Sequence, residues 1–169
     1  QLWQEVMRFE QYREQFAFLR DNGITTRTDM AAFTARTEET LANLMKQRTV
    51  LNVRRKRRRA LYTALADAEA LAPVKELYEA GLSGMETEFA QYMDAVAALE
   101  QCGVPREGLI QEKAELYDRL AELNRQIRAE RRKLALCRKT QNSLPRMEQE
   151  IDKAEARESE VRTNEHRRR

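Results

Sequence analysis

Apolar residues recur along this chain at intervals of three and four, the spacing that places them on one face of an α-helix. From about Leu2 to Asp21, Val6, Phe9, Phe16 and Leu19 form one such stripe, with Trp3 and Tyr12 beside it. Asn22-Gly23 closes that helix, because glycine accepts the positive φ found just past a helix end, and Ile24 is placed to fold back as the hydrophobic contact of a Schellman cap. Thr26 followed three residues later by Asp29 is a capping box that starts the next helix. No Gly or Pro interrupts the chain from there to Pro73. The register Met30, Phe33, Thr37, Leu41, Leu44, Arg48, Leu51 has coiled-coil spacing and continues less cleanly through Leu61, Leu65 and Leu71. A helix of some 44 residues spans roughly 66 Å at about 1.5 Å per residue and needs a partner to be stable.

Pro73, acceptable in a first helical turn, opens a short broken segment. Gly81 and Gly84 flank a joint, and Met85, Phe89, Tyr92, Met93, Val96 and Leu99 make the next stripe, ending at Cys102-Gly103 before Val104-Pro105. Residues 72–104 therefore read as a helical cap that turns the chain around. A return helix begins near Arg106, with Leu109, Lys113, Leu116, Leu120, Leu123, Ile127 and Leu134 as its stripe, and is expected to run to about Asn142, where Pro145 kinks or ends it. The expected fold is all-α: an elongated antiparallel coiled-coil hairpin of two long helices, residues 27–71 and 106–142, with a short helical cap and an N-terminal packing helix. By element, residues 1–24 are that first helix, 25–145 the hairpin with its cap, and 146–169 a charged tail expected to fray or be disordered. Met30, Phe33, Leu41, Leu44 and Leu51 are expected to face Leu116, Leu120, Leu123, Ile127 and Leu134.

Composition agrees with this and limits the chemistry. The 169 residues include only 5 Gly and 3 Pro, and 35% are charged, a mixture typical of long exposed helices. No run of 18 apolar residues occurs, so no membrane insertion is expected, and no signal-peptide pattern opens the chain. Gln1 in place of Met reads as the start of a fragment. Cys102 and Cys137 belong to no CxxC pair, which leaves a zinc site unsupported and fits reduced thiols in a cytoplasmic protein. The single histidine, His166, stands near the end, and no Gly-rich phosphate loop is present, so no catalytic centre, cofactor or metal is expected.

Charge is segregated, although the net value is only +3. Residues 46–59 carry eight bases and no acid, including the run Arg54, Arg55, Lys56, Arg57, Arg58 and Arg59. Residues 125–139 carry Arg125, Arg128, Arg131, Arg132, Lys133, Arg138 and Lys139 against Glu130 alone. Residues 60–100 hold eight acids and one base, Lys75. Such runs are often solvated helix surface, and the first also matches a nuclear-localisation pattern. Six consecutive helical residues cover about 600° of rotation, however, so the run faces every side, and Arg55 and Arg58 fall at or near inward positions. Its repulsion, without local acids, is what a polyanion relieves by counterion release. In an antiparallel hairpin, residues 46–59 and 119–133 fall at similar heights and form one basic stripe for a phosphate backbone. Tyr62 and Tyr117 are the only aromatics close by, which favours backbone contact over base stacking.

The chain also resembles the C-terminal helical region of relaxases, the mobilisation nucleases of integrative conjugative elements of Gram-positive anaerobic bacteria. The resemblance lies in Phe18-Leu19-Arg20-Asp21-Asn22-Gly23-Ile24-Thr25, in Leu77-Tyr78-Glu79-Ala80-Gly81-Leu82-Ser83, in Ala98-Leu99-Glu100-Gln101-Cys102-Gly103-Val104-Pro105, and in Leu116-Tyr117 through Arg131-Arg132-Lys133-Leu134. Leu82 stands where the family often has Tyr. The resemblance implies a non-catalytic accessory domain of a conjugative relaxase in the bacterial cytoplasm. Its nicking domain would lie before residue 1, and DNA would be bound through the basic helices. The alternative is a protein-interaction coiled coil that docks the relaxase on a type IV coupling protein or a relaxosome accessory protein, or that forms a homodimer. Whether the DNA is single or double stranded, and with what sequence preference, the sequence leaves open.

Overall fold

A computed structural model of the chain describes residues 2–167. They form five helices: α1 (Leu2–Asp21), α2 (Arg27–Ala70), α3 (Ala72–Glu79), α4 (Glu86–Cys102) and α5 (Arg106–Arg167). There is no strand among the described residues. None of these helices is long and apolar enough to cross a membrane. Two compact units emerge: one holds the residues up to Leu41 and from Arg128 onward, the other Ala42–Ile127. The boundary falls inside the two long helices, where no turn residue marks it.

Local chemistry sets most of the helix ends. Gly23, at φ 64°, donates to the carbonyl of Arg20 at 3.1 Å, and Ile24 donates to that of Leu19 at 2.9 Å. This pair is the Schellman motif, and Ile24 is buried as its apolar contact. At the start of α2 the backbone N–H of Asp29 donates to the Thr26 hydroxyl at 3.0 Å, and the N–H of Thr26 donates to the Asp29 carboxylate at 2.9 Å. Thr25 adds two more donors to the same oxygen, from its hydroxyl at 2.9 Å and its N–H at 3.1 Å. These donors, the Thr25 hydroxyl foremost, hold the Asp29 carboxyl below its usual range.

In the first unit, Phe18, Ile24, Met30 and Cys137 form a core, with Leu19, Phe33 and Leu136 against it. Phe18 meets Phe33 edge to face at 5.6 Å between ring centres. The buried face of α1 is not the expected one: Phe9 and Phe16 are 68% and 64% exposed, while Gln15 and Phe18 are buried. Val6 and Trp3 lie outside the residues whose side chains are described. Docking through Phe18 rotates the helix so that Gln15 meets α5, where the Ser143 hydroxyl donates to its carbonyl oxygen at 2.9 Å. Glu14 pairs with Lys139 at 3.3 Å beside it.

α5 continues past Asn142 through Pro145, where a kink or an end was expected, to Arg167; the last two residues of the charged tail lie outside the described residues. Pro145 offers no N–H to the carbonyl of Gln141, a loss of roughly 3 kcal/mol in a helix interior. Before the proline the Ser143 hydroxyl donates to Gln15 of α1 at 2.9 Å, and after it Arg27 of α2 pairs with Glu148 and Arg146 with Glu150 at 3.4 Å.

In the second unit, Tyr62, Ala64, Leu65 and Ala68 of α2 pack with Ala95 and Leu99 of α4 and with Leu109, Leu116 and Leu120 of α5. Leu51 lies against this core. Leu123 and Ile127 are also buried. Between α2 and α5 of this unit, Gln47 meets Arg119 at 3.2 Å and Arg58 meets Glu112 at 3.2 Å. α2 ends at Ala70, and Leu71 caps α3. Tyr78 of α3 stacks on Phe89 of α4 at 4.1 Å. Met93, expected on the inner stripe of α4, is 48% exposed, because Ala95 and Leu99 supply the face that meets the core.

Candidate functional site

The arginine run lies within α2 of the second unit, and the helix divides it into faces. Successive residues are turned by about 100°, so Arg54 and Arg58 share one face and Arg55 and Arg59 the next. The first pair meets an acid from α5. Glu112 lies 3.2 Å from Arg58 Nε and 3.7 Å from Arg54, accepts from Arg58 Nη2 at 3.5 Å, and accepts from the Tyr62 hydroxyl at 3.0 Å. The Glu112 side chain is only 17% exposed. Burial, and then the Glu112 carboxylate it already serves, push the Tyr62 phenol above its usual pKa, while Arg54 and Arg58 pull the other way. The run's charge is therefore partly relieved by an acid 54 and 58 residues away in sequence. Arg58 is half-buried here, as an inward residue should be, but Arg55 is exposed.

The second face opens on a cleft of about 710 Å³ lined by Asn52, Arg55, Lys56, Arg59, Tyr62, Thr63 and Ala66 of α2 and by Lys113 and Tyr117 of α5. Four cations and no carboxylate line it. The Lys113 ammonium lies 5.9 Å from the centre of the Tyr62 ring, while Tyr117, one turn along α5, is 46% exposed. Sequence reasoning named both tyrosines only as neighbours and missed Lys113 as a contributor, because it assigned that residue to the apolar stripe. The three-four spacing of Asn52, Arg55, Lys56, Arg59 and Thr63 was the available signal. Lys56 and Arg59 also border a neighbouring groove against α4, where Asp67 and Asp94 stand.

Within the second unit, Arg54–Arg59 do not stand beside Arg125, the one base of the Arg125–Lys133 segment that this unit holds. Residues 46–48 do meet residues 119–124, as Gln47 does Arg119 and Arg48 does Asn124. Arg54 and Arg58, however, stand opposite Glu112. Arg125 lies thirteen residues farther along the same helix, which is roughly 20 Å at 1.5 Å per residue. Arg125 pairs with Glu122. Arg128, Arg131, Arg132 and Lys133 belong to the first unit, where Lys133 pairs with Glu130 at 2.7 Å and Arg132 Nε donates to the Arg128 carbonyl at 3.4 Å.

Among the described residues no three His, Cys, Asp or Glu side chains gather where they would hold a metal ion. Cys137 is buried beside Met30, and burial raises its thiol pKa, while Cys102 is half-buried. No family model matches the chain, and no curated protein or solved structure matches it.

Proposed function

We propose that this chain is a non-catalytic DNA-binding helical domain whose main contact surface is the cleft between α2 and α5. The observation that carries the reading is the cleft's lining of Arg55, Lys56, Arg59 and Lys113 without a carboxylate. Cations gathered on a helix-supported wall neutralise phosphates and release their counterions, which yields affinity with little sequence preference. In this reading α2 and α5 are the arms of an antiparallel coiled-coil hairpin that holds the cations in place, and Arg125, Arg128, Arg131, Arg132 and Lys133 add further backbone contacts along α5. The resemblance to the helical region of conjugative relaxases supports placing such a domain beside a DNA-nicking enzyme. The test is binding of a labelled duplex at rising salt. Affinity should be measurable at about 50 mM and fall steeply by about 200 mM. Arg55→Glu with Arg59→Glu should abolish it and Arg8→Glu with Arg13→Glu should not. No binding at the lower salt refutes the proposal.

A second reading has its own observation. In the acidic stretch 67–100, Leu77, Leu82 and Met93 are 41%, 48% and 48% exposed. Apolar side chains set among acids suit a docking face for a basic partner such as a coupling protein. Capture of that partner by a variant lacking the cleft cations, lost on Leu77→Asp with Leu82→Asp, would favour this role over DNA binding.

A further inference from the structure

We infer that the cleft seats an unpaired nucleotide of a single strand, its base against Tyr117 and its phosphates on Arg55, Lys56, Arg59 and Lys113; this rests on the DNA-binding reading above. A volume of about 710 Å³ is in the range of pockets that hold a small organic ligand, more than phosphate contact alone requires. The two tyrosines play different parts. Tyr62 is 5% exposed with its hydroxyl bound to Glu112, so it forms wall. Tyr117 is 46% exposed on the same lining and carries no such constraint. Lys113 and Tyr117 are one turn apart on α5 and share a face, so a cation and an aromatic ring stand together. That combination is what single-strand binding uses: cations follow the backbone while a base stacks on the ring. In a duplex the bases are already stacked on one another, and only the cations of the cleft would be engaged.

The acids around the cleft set a direction. Asp67 and Asp94 border the adjoining groove against α4, and they repel a phosphate that strays past Lys56 and Arg59. A bound strand is thereby kept on the α5 side, where Tyr117 lies.

The experiment measures fluorescence anisotropy of labelled oligothymidylate, oligouridylate and a blunt duplex of equal length. It uses the full chain, Tyr117→Ala, Tyr117→Phe and Arg55→Glu with Arg59→Glu. Tyr117 is half-exposed and outside the apolar core, so its variants keep the fold. Tyr117→Ala should weaken single-strand binding on the order of tenfold, leave duplex binding unchanged, and be rescued by Tyr117→Phe, which keeps the ring. The tighter of the two single strands names the source, DNA or RNA. If wild-type protein binds all probes and Tyr117→Ala changes none of them, or weakens all equally, stacking is overturned while the cationic reading stands. If wild-type protein binds none of the probes, both readings fall together.

Discussion

Replacing Glu112 by Ala removes the acceptor on which three side chains of α2 converge. The hydroxyl of Tyr62, 5% exposed, would lose its partner at 3.0 Å. Stranding a buried donor that had bonded to a charged acceptor costs roughly 1.5–3 kcal/mol. Arg58 and Arg54 add little, because their side chains are 35% and 56% exposed and solvent screens exposed pairs to about 1 kcal/mol or less. The sum is about 2–3 kcal/mol, which for a chain of this length lowers the melting temperature by about 5–10 °C. Calorimetry and urea unfolding of wild type, Glu112→Ala, Tyr62→Phe and the double variant form a cycle that isolates the hydrogen bond. Coupling of about 1–2 kcal/mol is expected, since the two groups touch. A Glu112→Ala variant within about 0.5 kcal/mol of wild type, the usual range for a surface site, or full additivity in the cycle, would refute the reasoning. The same variant frees Arg54 and Arg58 from their acid, so its affinity for DNA should rise, most visibly at low salt.

The rotation of α1 is checked by two truncations: Phe18→Ala, buried against Phe33, should cost about 3 kcal/mol, and Phe16→Ala, 64% exposed, within about 0.5 kcal/mol of nothing, both by urea unfolding. The hydrogen bonds that depress the Asp29 pKa stabilise the fold above the ordinary carboxylate range, near pH ~3.9, and that contribution is lost as pH falls through the lower folded value. The difference in melting temperature between wild type and Asp29→Asn should therefore be largest near neutrality and shrink below about pH 4; a constant difference would contradict it. Under native conditions at mildly alkaline pH, a maleimide should label half-buried Cys102 well before Cys137, whose thiol is buried and held protonated; mass spectrometry of peptides gives the order.

What the sequence determined by itself was whatever a few neighbouring residues settle among themselves. The helical class, the end of α1 at Asp21, the Schellman turn at Gly23 and the Thr26–Asp29 box all follow from hydrogen bonds spanning three to five residues. The same holds for the stop at Gly103. A stripe of three-four spacing also announced which residues of α5 would be buried, because Leu109, Leu116, Leu120, Leu123 and Ile127 leave one apolar face only. Tertiary structure decided the rest. α1 carries apolar residues on more than one side, so its own pattern allowed several rotations, and the Phe18–Phe33 contact chose between them. Pro145 is a local stop signal, yet α5 runs through it to Arg167. The arginine run looked uncompensated because its acid, Glu112, lies more than fifty residues away. The offset between the basic segments and the cleft beside Tyr117 depend on the axial register of two helices. That register is set where α2 and α5 pack into one core, and no single stretch of chain contains that information.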